Sequence, residues 1–303
     1  MSRRDRDDVR GGDGPVTTMR RRAVPYLLIS PTVALIAAFL VYPIGSVAYY
    51  SLQHRNLTRP WADGFAGLDN FRRMLTEDEV FWHSLGFTAK WVIAEIGLQL
   101  ILGLALALIV NETFIGRGLA RSLVFSPWAV SGVLTTGIWI LLYTPGTGVL
   151  RFLGQPEAAV LGNPDTVFPA VVVAELWRGV PFFAILLLAG LQGIPGELYE
   201  AAAVDGAGRL RRFRHVTLPH LRDAIVLATL LRGVWEFNNV DLLYTLTGGG
   251  PAQVTTTLPL YVAQRAVDSK DFGYGSALTM AGFVILLFCS VLYLRLSRFG
   301  EDR

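Results

Sequence analysis

Two short stretches place ionisable side chains inside otherwise apolar runs. Residues 175–178 read Glu-Leu-Trp-Arg, and residues 232–241 read Arg-Gly-Val-Trp-Glu-Phe-Asn-Asn-Val-Asp. Glu175 and Arg178 stand three apart and can pair across one helical turn. Arg232, Glu236 and Asn239 recur at i, i+4 and i+7, so a helix carries them on one face. Charges at membrane depth are costly, and they face a cavity or one another. Two chemistries fit this pattern, and Asp241 belongs to the same question. One is an internal ion-pair set that fixes helix packing. The other is a polar stripe that binds a hydroxyl-rich solute. Trp177, Phe182, Trp235 and Phe237 lie within a turn or two of these charges. Flat rings suit the apolar faces of pyranoses, although Phe237 also suits outward packing.

Composition explains why such charges stand out. The 303 residues are 52% hydrophobic and 17% charged, with a mean hydropathy of +0.44. Soluble domains carry about 25% charge, so the surplus apolar side chains call for lipid as solvent. The net charge of +3 is better read as basic loops orienting a membrane protein than as a nucleic-acid surface. Cys289 is the single cysteine, so no internal disulfide can form. His54, His83, His215 and His220 show no metal-site spacing. Lys90 and Lys270 are the only lysines among 27 basic residues, a bias that points to a GC-rich coding genome in a bacterium.

A span requires about 20 mostly apolar residues. Six segments qualify: 24–50, 85–110, 122–143, 167–191, 223–246 and 276–296. The second, third and sixth are the clearest, and the fifth is marginal because of its charges. Counting Lys and Arg puts seventeen in the amino-terminal tail, the 111–121 and 192–222 loops and the carboxyl end, against seven in the other three loops. Both termini are therefore expected in the cytoplasm of a multi-pass cell-membrane protein. Residues 1–23 read as a disordered basic tail, 24–298 as one six-helix transmembrane domain and 299–303 as a short cytoplasmic tail. The run after Arg20–Arg22 is too long for a signal peptide and lacks a small-residue cleavage site. No alternating pattern supports a β-barrel. "TGGGP" (247–251) lacks the Lys-Ser/Thr of a phosphate-gripping loop and reads as a turn.

The 192–222 loop is too structured to be a simple connector. Pro195 suits the first helical position, with Glu197 and Glu200 near the positive helix end. Leu198 to Ala203 favour helix, and Asp205-Gly206 ends it. A second short helix over 208–216 places Leu210, Phe213 and Val216 on one face and arginines on the other, before Leu218-Pro219 leads into the fifth span. Two uses fit: an amphipathic pair held on lipid headgroups by its arginines, or a docking element whose alanines allow close approach.

Residue identity adds to this reading. Glu200, Ala201, Ala202, Asp205, Gly206, Ala207, Phe213, Val216, Leu218 and Pro219 resemble, at fixed spacing, the signature loop of membrane permease subunits of binding-protein-dependent ABC importers. Residues 190–208, 238–251, 255–258 and 272–280 look like the maltose and trehalose branch. The resemblance implies an all-α type I importer permease fold. It makes the 192–222 loop a coupling helix that fits a separate cytoplasmic ATPase, with Glu200, Ala201, Ala202, Asp205, Gly206, Ala207, Phe213, Leu218 and Pro219 as its contacts. It implies a second permease subunit, two ATPase subunits that use ATP and Mg, and an extracytoplasmic solute-binding protein. By the same resemblance this chain binds no cofactor and is not itself an enzyme. Matching "W-x-G-x-P-x" and "FNN" carries solute-binding roles to Arg178, Gly179, Phe182, Arg232, Glu236 and Asn239. Arg178, Arg232 and Glu236 are charged where a maltose site is neutral. A neutral di- or oligosaccharide and an anionic derivative such as a glycerophosphodiester therefore both stay open.

Two other classes compete with an importer subunit. An ion-coupled secondary transporter would carry protons on Glu175, Glu236 or Asp241, but needs interruptions in both halves of the chain, and here they fall only in the second. An integral-membrane enzyme would need a His/Cys/Asp constellation that the sequence lacks.

Overall fold

The computed structural model describes residues 15–152, 154–155 and 159–297. Residues 1–14 of the expected amino-terminal tail and the whole of the 299–303 tail lie outside the described residues. Helix α1 (Pro15–Ile36) covers 15–23, so that part of the tail is helical instead of disordered. Pro15 suits a first helical turn, and the arginines that follow are good helix formers.

A π-turn, Ala37–Val41, joins α1 to α2 (Tyr42–Ser51). A two-residue strand pair, β1 (Gln53–His54) and β2 (Gly64–Phe65), supplies the only strands among the described residues. Then come α3 (Asp69–Thr76) and the long α4 (Glu79–Asn111). Helix α5 (Arg117–Ala129) and α6 (Gly132–Tyr143) meet at a 97° bend. Helix α7 (Pro164–Gln192) is followed by α8 (Gly196–Val204), α9 (Arg209–Arg212), α10 (Leu218–Phe237) and α11 (Asp241–Leu246). Helices α12 (Leu258–Ala263) and α13 (Phe272–Ser297) come last among the described elements.

Among the described residues, four helical stretches are long and apolar enough to cross a membrane: Tyr26–Ser51, α4, α7 and α13. The expected third span is broken. Val130 and Ser131 are extended, and the Ser131 hydroxyl accepts from the Leu134 amide at 3.4 Å to start α6 anew. If the bent pair is one span, the number rises to five. The expected fifth segment ends early, because α10 stops at Phe237 and Asn238–Val240 separate it from α11.

Two π-turns share one cause. Pro43 and Pro219 each lack an amide proton, and each ring would clash with the carbonyl four residues back. Those residues, Phe39 and His215, lie inside the π-turns Ala37–Val41 and Phe213–Thr217. The extra residue in the turn removes the clash and lets the helix run on. Residues 209–237 are consequently one helix through Leu218-Pro219, where a separate short helix was expected.

The core lies where α4, α7 and α10 pack side by side. Phe183, Leu187, Leu221, Ala107 and Ala228 form one buried cluster, and Trp91, Val167, Val171, Leu243 and Leu260 another. Gly103 permits the closest approach: a Cβ there would strike Phe183 Cβ and come within 3.1 Å of the Ala184 amide nitrogen. Small residues at such contacts let helix backbones meet where lipid supplies no hydrophobic drive. By contrast, Leu27, Leu28, Phe39, Ile93, Ile101, Leu123, Val133, Phe288 and Leu296 point outward. That surface suits lipid or other protein and not water.

Candidate functional site

Arg232 and Glu236 share one face of α10 as expected, whereas Asn239 lies past the helix end, in the link to α11. Arg232 Nη2 lies 2.6 Å from Glu236 Oε1 along the helix, and Asn239 Nδ2 donates to Glu236 Oε2 at 3.3 Å. The predicted turn of α7 forms too, with Arg178 Nη2 donating to Glu175 Oε1 at 3.1 Å. The two pieces join, since Arg232 Nη2 also donates to Glu175 Oε1 at 2.6 Å.

Two residues that sequence reasoning passed over belong to the same centre. Glu95 and Gln99 on α4 are fully buried. Gln99 Oε1 accepts from Arg232 Nε at 2.8 Å, and its Nε2 donates to Glu95 Oε2 at 2.9 Å. A signal was available, because Glu95 is an acidic residue inside an apolar run and meets the criterion that singled out Glu175. The centre thus gathers three carboxyl groups and two guanidinium groups from three helices. Glu95 Oε1 and Glu175 Oε2 are buried without a hydrogen-bond partner among the described residues.

On one side the centre opens into a cavity of about 460 Å³, lined by Arg178, Arg232, Trp235, Glu236, Asn238, Asn239, Val240 and Asp241. Arg232 is nearly buried, whereas the Arg178 side chain is 25% exposed and contacts one carboxylate. Gly132, at the start of α6, leaves room for Arg178: a Cβ there would sit 3.1 Å from its Nη1. The bend between α5 and α6 therefore brings a small residue to the cavity's arginine. Asp241 is exposed in the first turn of α11, so it is a rim residue rather than a buried charge.

Not every expected residue reaches the cavity. Phe182 is buried, packing on Trp235 with ring centroids 5.1 Å apart and on Phe183 at 5.9 Å. Gly179 is buried against Gln99. Trp177 is partly exposed away from the lining, and Phe237 packs beside Gly282. Trp235 is the aromatic ring that faces the cavity. The lining offers carboxylate, amide and guanidinium groups beside one indole. Such a set suits hydroxyl groups or an anionic group on a solute of modest size.

At the other end of α7, α8 ends in a tight turn. Ala207 N–H donates to Ala202 O at 2.8 Å and Gly206 N–H to Ala203 O at 3.0 Å. This 6→1 and 5→2 pair needs a left-handed residue, supplied by Gly206 at φ +77°. Glu200, Ala201, Asp205 and Gly206 are exposed, and Ala202 and Ala207 half-buried. Val204 and Leu210 stand 88% and 70% exposed beside them. Phe213 is half-buried, and Leu218 and Pro219 are exposed within the continuous 209–237 helix. A hydrogen bond of 3.0 Å between the Tyr199 and Thr217 hydroxyls ties α8 to the base of α10.

A third polar cluster caps the opposite end of the bundle. Asp78 Oδ1 accepts from the amides of Val80 and Phe81, starting α4. Its Oδ2 accepts from Tyr261 at 2.5 Å and from the Tyr274 hydroxyl, drawing α12 and α13 onto α4.

Comparison with known proteins agrees with this architecture. Residues 99–299 match the family described as binding-protein-dependent transport system inner membrane component. The trehalose/maltose transport system permease protein MalF of Thermococcus litoralis is 38% identical over 287 residues, covering 93% of this chain and 96% of that protein. The sulfoquinovosyl glycerol transport system permease protein SmoG of Agrobacterium fabrum is 35% identical, covering 91% of each chain. The trehalose transport system permease protein SugA of Mycobacterium tuberculosis is 35% identical, covering 92% of this chain and 90% of that one. Among solved structures, a chain of a bacterial alginate ABC transporter in complex with its alginate-bound periplasmic protein superposes with a TM-score of 0.78. The match covers 94% of this chain and 97% of that chain at 21% identity, which is a likeness of fold. With most of its length matched by relatives and its apolar helices built to span a bilayer, the chain belongs to the inner membrane components of binding-protein-dependent transport systems.

Proposed function

We propose that this chain is one permease subunit of an ATP-driven importer that takes a di- or oligosaccharide from a solute-binding protein into the cytoplasm. The observation that carries the solute class is the cavity beside α10, where Glu236, Asn239, Asp241 and Arg178 share the lining with Trp235. Polar groups together with one aromatic side chain match the mixed character of a sugar. The names of three relatives, for trehalose/maltose, sulfoquinovosyl glycerol and trehalose, point to the same class. A second reading, an anionic sugar derivative, is favoured by Arg178, which faces the cavity with a single carboxylate partner.

Energy would enter through α8 and the turn at Gly206. The exposed side chains of Glu200, Ala201 and Val204 have no partner within the described residues, which suits docking on a separate ATPase. ATP and Mg belong to that partner. A second permease subunit would complete the pathway, with residues 24–298 as the membrane domain. In this arrangement the chain makes six crossings with both termini in the cytoplasm, α5–α6 serving as a broken third span and α10 as the fifth. The excess of Arg and Lys on the α8–α9 side supports that orientation.

Purification of the tagged chain from its native membrane tests the assignment: an ATPase subunit should come with it, and solute uptake should be sensitive to vanadate. Uptake that persists without ATP and collapses with an ion gradient would instead support a secondary transporter. Binding measurements on the cognate solute-binding protein decide between a neutral sugar and an anionic one.

A further inference from the structure

Gln99 occupies a singular place in the polar centre. Its carboxamide has one oxygen and two N–H groups. The oxygen accepts from Arg232 Nε at 2.8 Å, and Nε2 donates to Glu95 Oε2 at 2.9 Å and to Glu236 Oε1 at 3.3 Å. Turning the amide over would set its oxygen against two carboxyl groups and its N–H groups against a guanidinium. The network therefore defines one orientation. The glycine that allows it is Gly179, because a Cβ there would collide with the Gln99 carboxamide. Gln99 is fully buried and does not line the cavity, so it acts through its neighbours.

We propose that Gln99 is the positioning residue of the solute site. It turns Glu236 Oε1 inward to Arg232 and leaves Glu236 Oε2, with Asn239, toward the cavity, while Gly179 supplies its seat. The proposal rests on the reading that this cavity lies on the solute path. It also gives Gly179 a role distinct from solute contact: the glycine makes room for an amide from another helix. Gln99 bonds α4 to α10 at both Arg232 and Glu236, partners that lie 133 and 137 residues away in sequence.

The test uses the complete transporter in proteoliposomes, with trehalose and maltose presented on the binding protein and uptake normalised to assembled complex. Gln99→Leu leaves Arg232 Nε and Glu95 Oε2 short of a partner and Glu236 Oε1 held by Arg232 alone, and uptake should fall about tenfold or more. Gly179→Ala displaces the amide without deleting it and should reproduce the loss. Gln99→Glu separates positioning from packing. It keeps an acceptor for Arg232 but, when ionised, faces Glu95 on α4 and Glu236 on α10 with a further negative charge. Glu175 and Arg178 on α7 complete the set of charges around it. Protonation restores a donor, so uptake by Gln99→Glu should climb as pH falls, relative to the parent. A pH profile parallel to the parent's would overturn the proposal and leave Gln99 as packing. Glu236→Gln is run alongside. If it and Arg178→Leu both leave uptake intact, the solute-path reading itself fails. If they reduce uptake while Gln99→Leu and Gly179→Ala do not, the positioning role alone falls.

Discussion

Arg232 Nη2 lies 2.6 Å from Glu175 Oε1, a contact that joins α10 to α7 across 57 residues of chain. The same nitrogen is 2.6 Å from Glu236 Oε1. One cation thus offsets two buried carboxyl groups, and the helix packing depends on it.

Removing that cation should be costly. Arg232→Ala leaves Glu236 without its cation and Glu175 with only the part-exposed Arg178, and breaking a buried pair in this way costs about 3–5 kcal/mol. The expected result is a lower melting midpoint for the detergent-purified chain. Glu175→Gln should lower it less, because an amide oxygen still accepts from Arg232. Equal melting midpoints for the parent and Arg232→Ala would mean that the pair contributes nothing to packing.

The contact of α4 with α7 gives a second prediction. At Gly103 a Cβ has no room, and the obstacles are the Phe183 Cβ and the Ala184 backbone, neither of which is the free end of a flexible side chain. Gly103→Ala should therefore destabilise by about 1–3 kcal/mol despite the better helix propensity of alanine. At Gly97, on the same helix, no atom lies within 4 Å of the place a Cβ would occupy, so Gly97→Ala should be neutral or mildly stabilising. Comparing the two melting midpoints checks the argument within one helix.

These contacts also mark what could be read in the sequence. Pairings within one helix were legible, because i, i+3 and i, i+4 spacing is a property of the chain itself; Glu175–Arg178 and Arg232–Glu236 both formed. The left-handed turn at Gly206 was legible for the same reason. Pairings between helices were not. Nothing in the local pattern around Gln99 announces an arginine 133 residues away, and the high hydropathy of α4 hides Gln99 among its apolar neighbours. The bend at Val130–Ser131 escaped because hydropathy averages over composition and is blind to two extended residues. Phe182 looked like a cavity residue by its distance from Arg178, but its position on α7 turns it toward Trp235 and Phe183.

Asp78 yields a prediction in pH. Burial alone would raise its carboxyl. Hydrogen bonds from Tyr261 and Tyr274, the Phe81 amide and the nearby Arg265 charge outweigh that and hold it below its ordinary value. A carboxyl depressed in the folded state contributes stability that is present above its unfolded pKa and is lost as pH falls through the folded one. Acid should therefore loosen the α4–α12–α13 end of the bundle. Asparagine is as good a helix cap as aspartate, so Asp78→Asn should keep the start of α4 while lowering stability near neutral pH. Between neutral and acid pH its melting midpoint should change less than the parent's. Parallel curves for the two proteins would show that Asp78 does not supply this pH dependence.

The turn after α8 separates strain from docking. Gly206 has φ +77° and no atom within 4 Å of the position a Cβ would take, so any cost of substitution in the chain itself is conformational. Valine should be poorly tolerated there, since β-branched residues avoid positive φ, whereas aspartate and asparagine enter that region several-fold more often. Gly206→Asp should consequently insert and fold with little loss of stability. If α8 docks on an ATPase, however, the space beside Gly206 is filled in the assembled complex, and a charged side chain there loosens the local fit of α8 on the ATPase. The expected phenotype of Gly206→Asp, and of Glu200→Lys on the same exposed surface, is a complex that hydrolyses ATP without accumulating solute. Parent-like uptake by both variants would remove α8 as the coupling element. Loss of uptake in Gly206→Val alone would trace the defect to the turn and not to the partner.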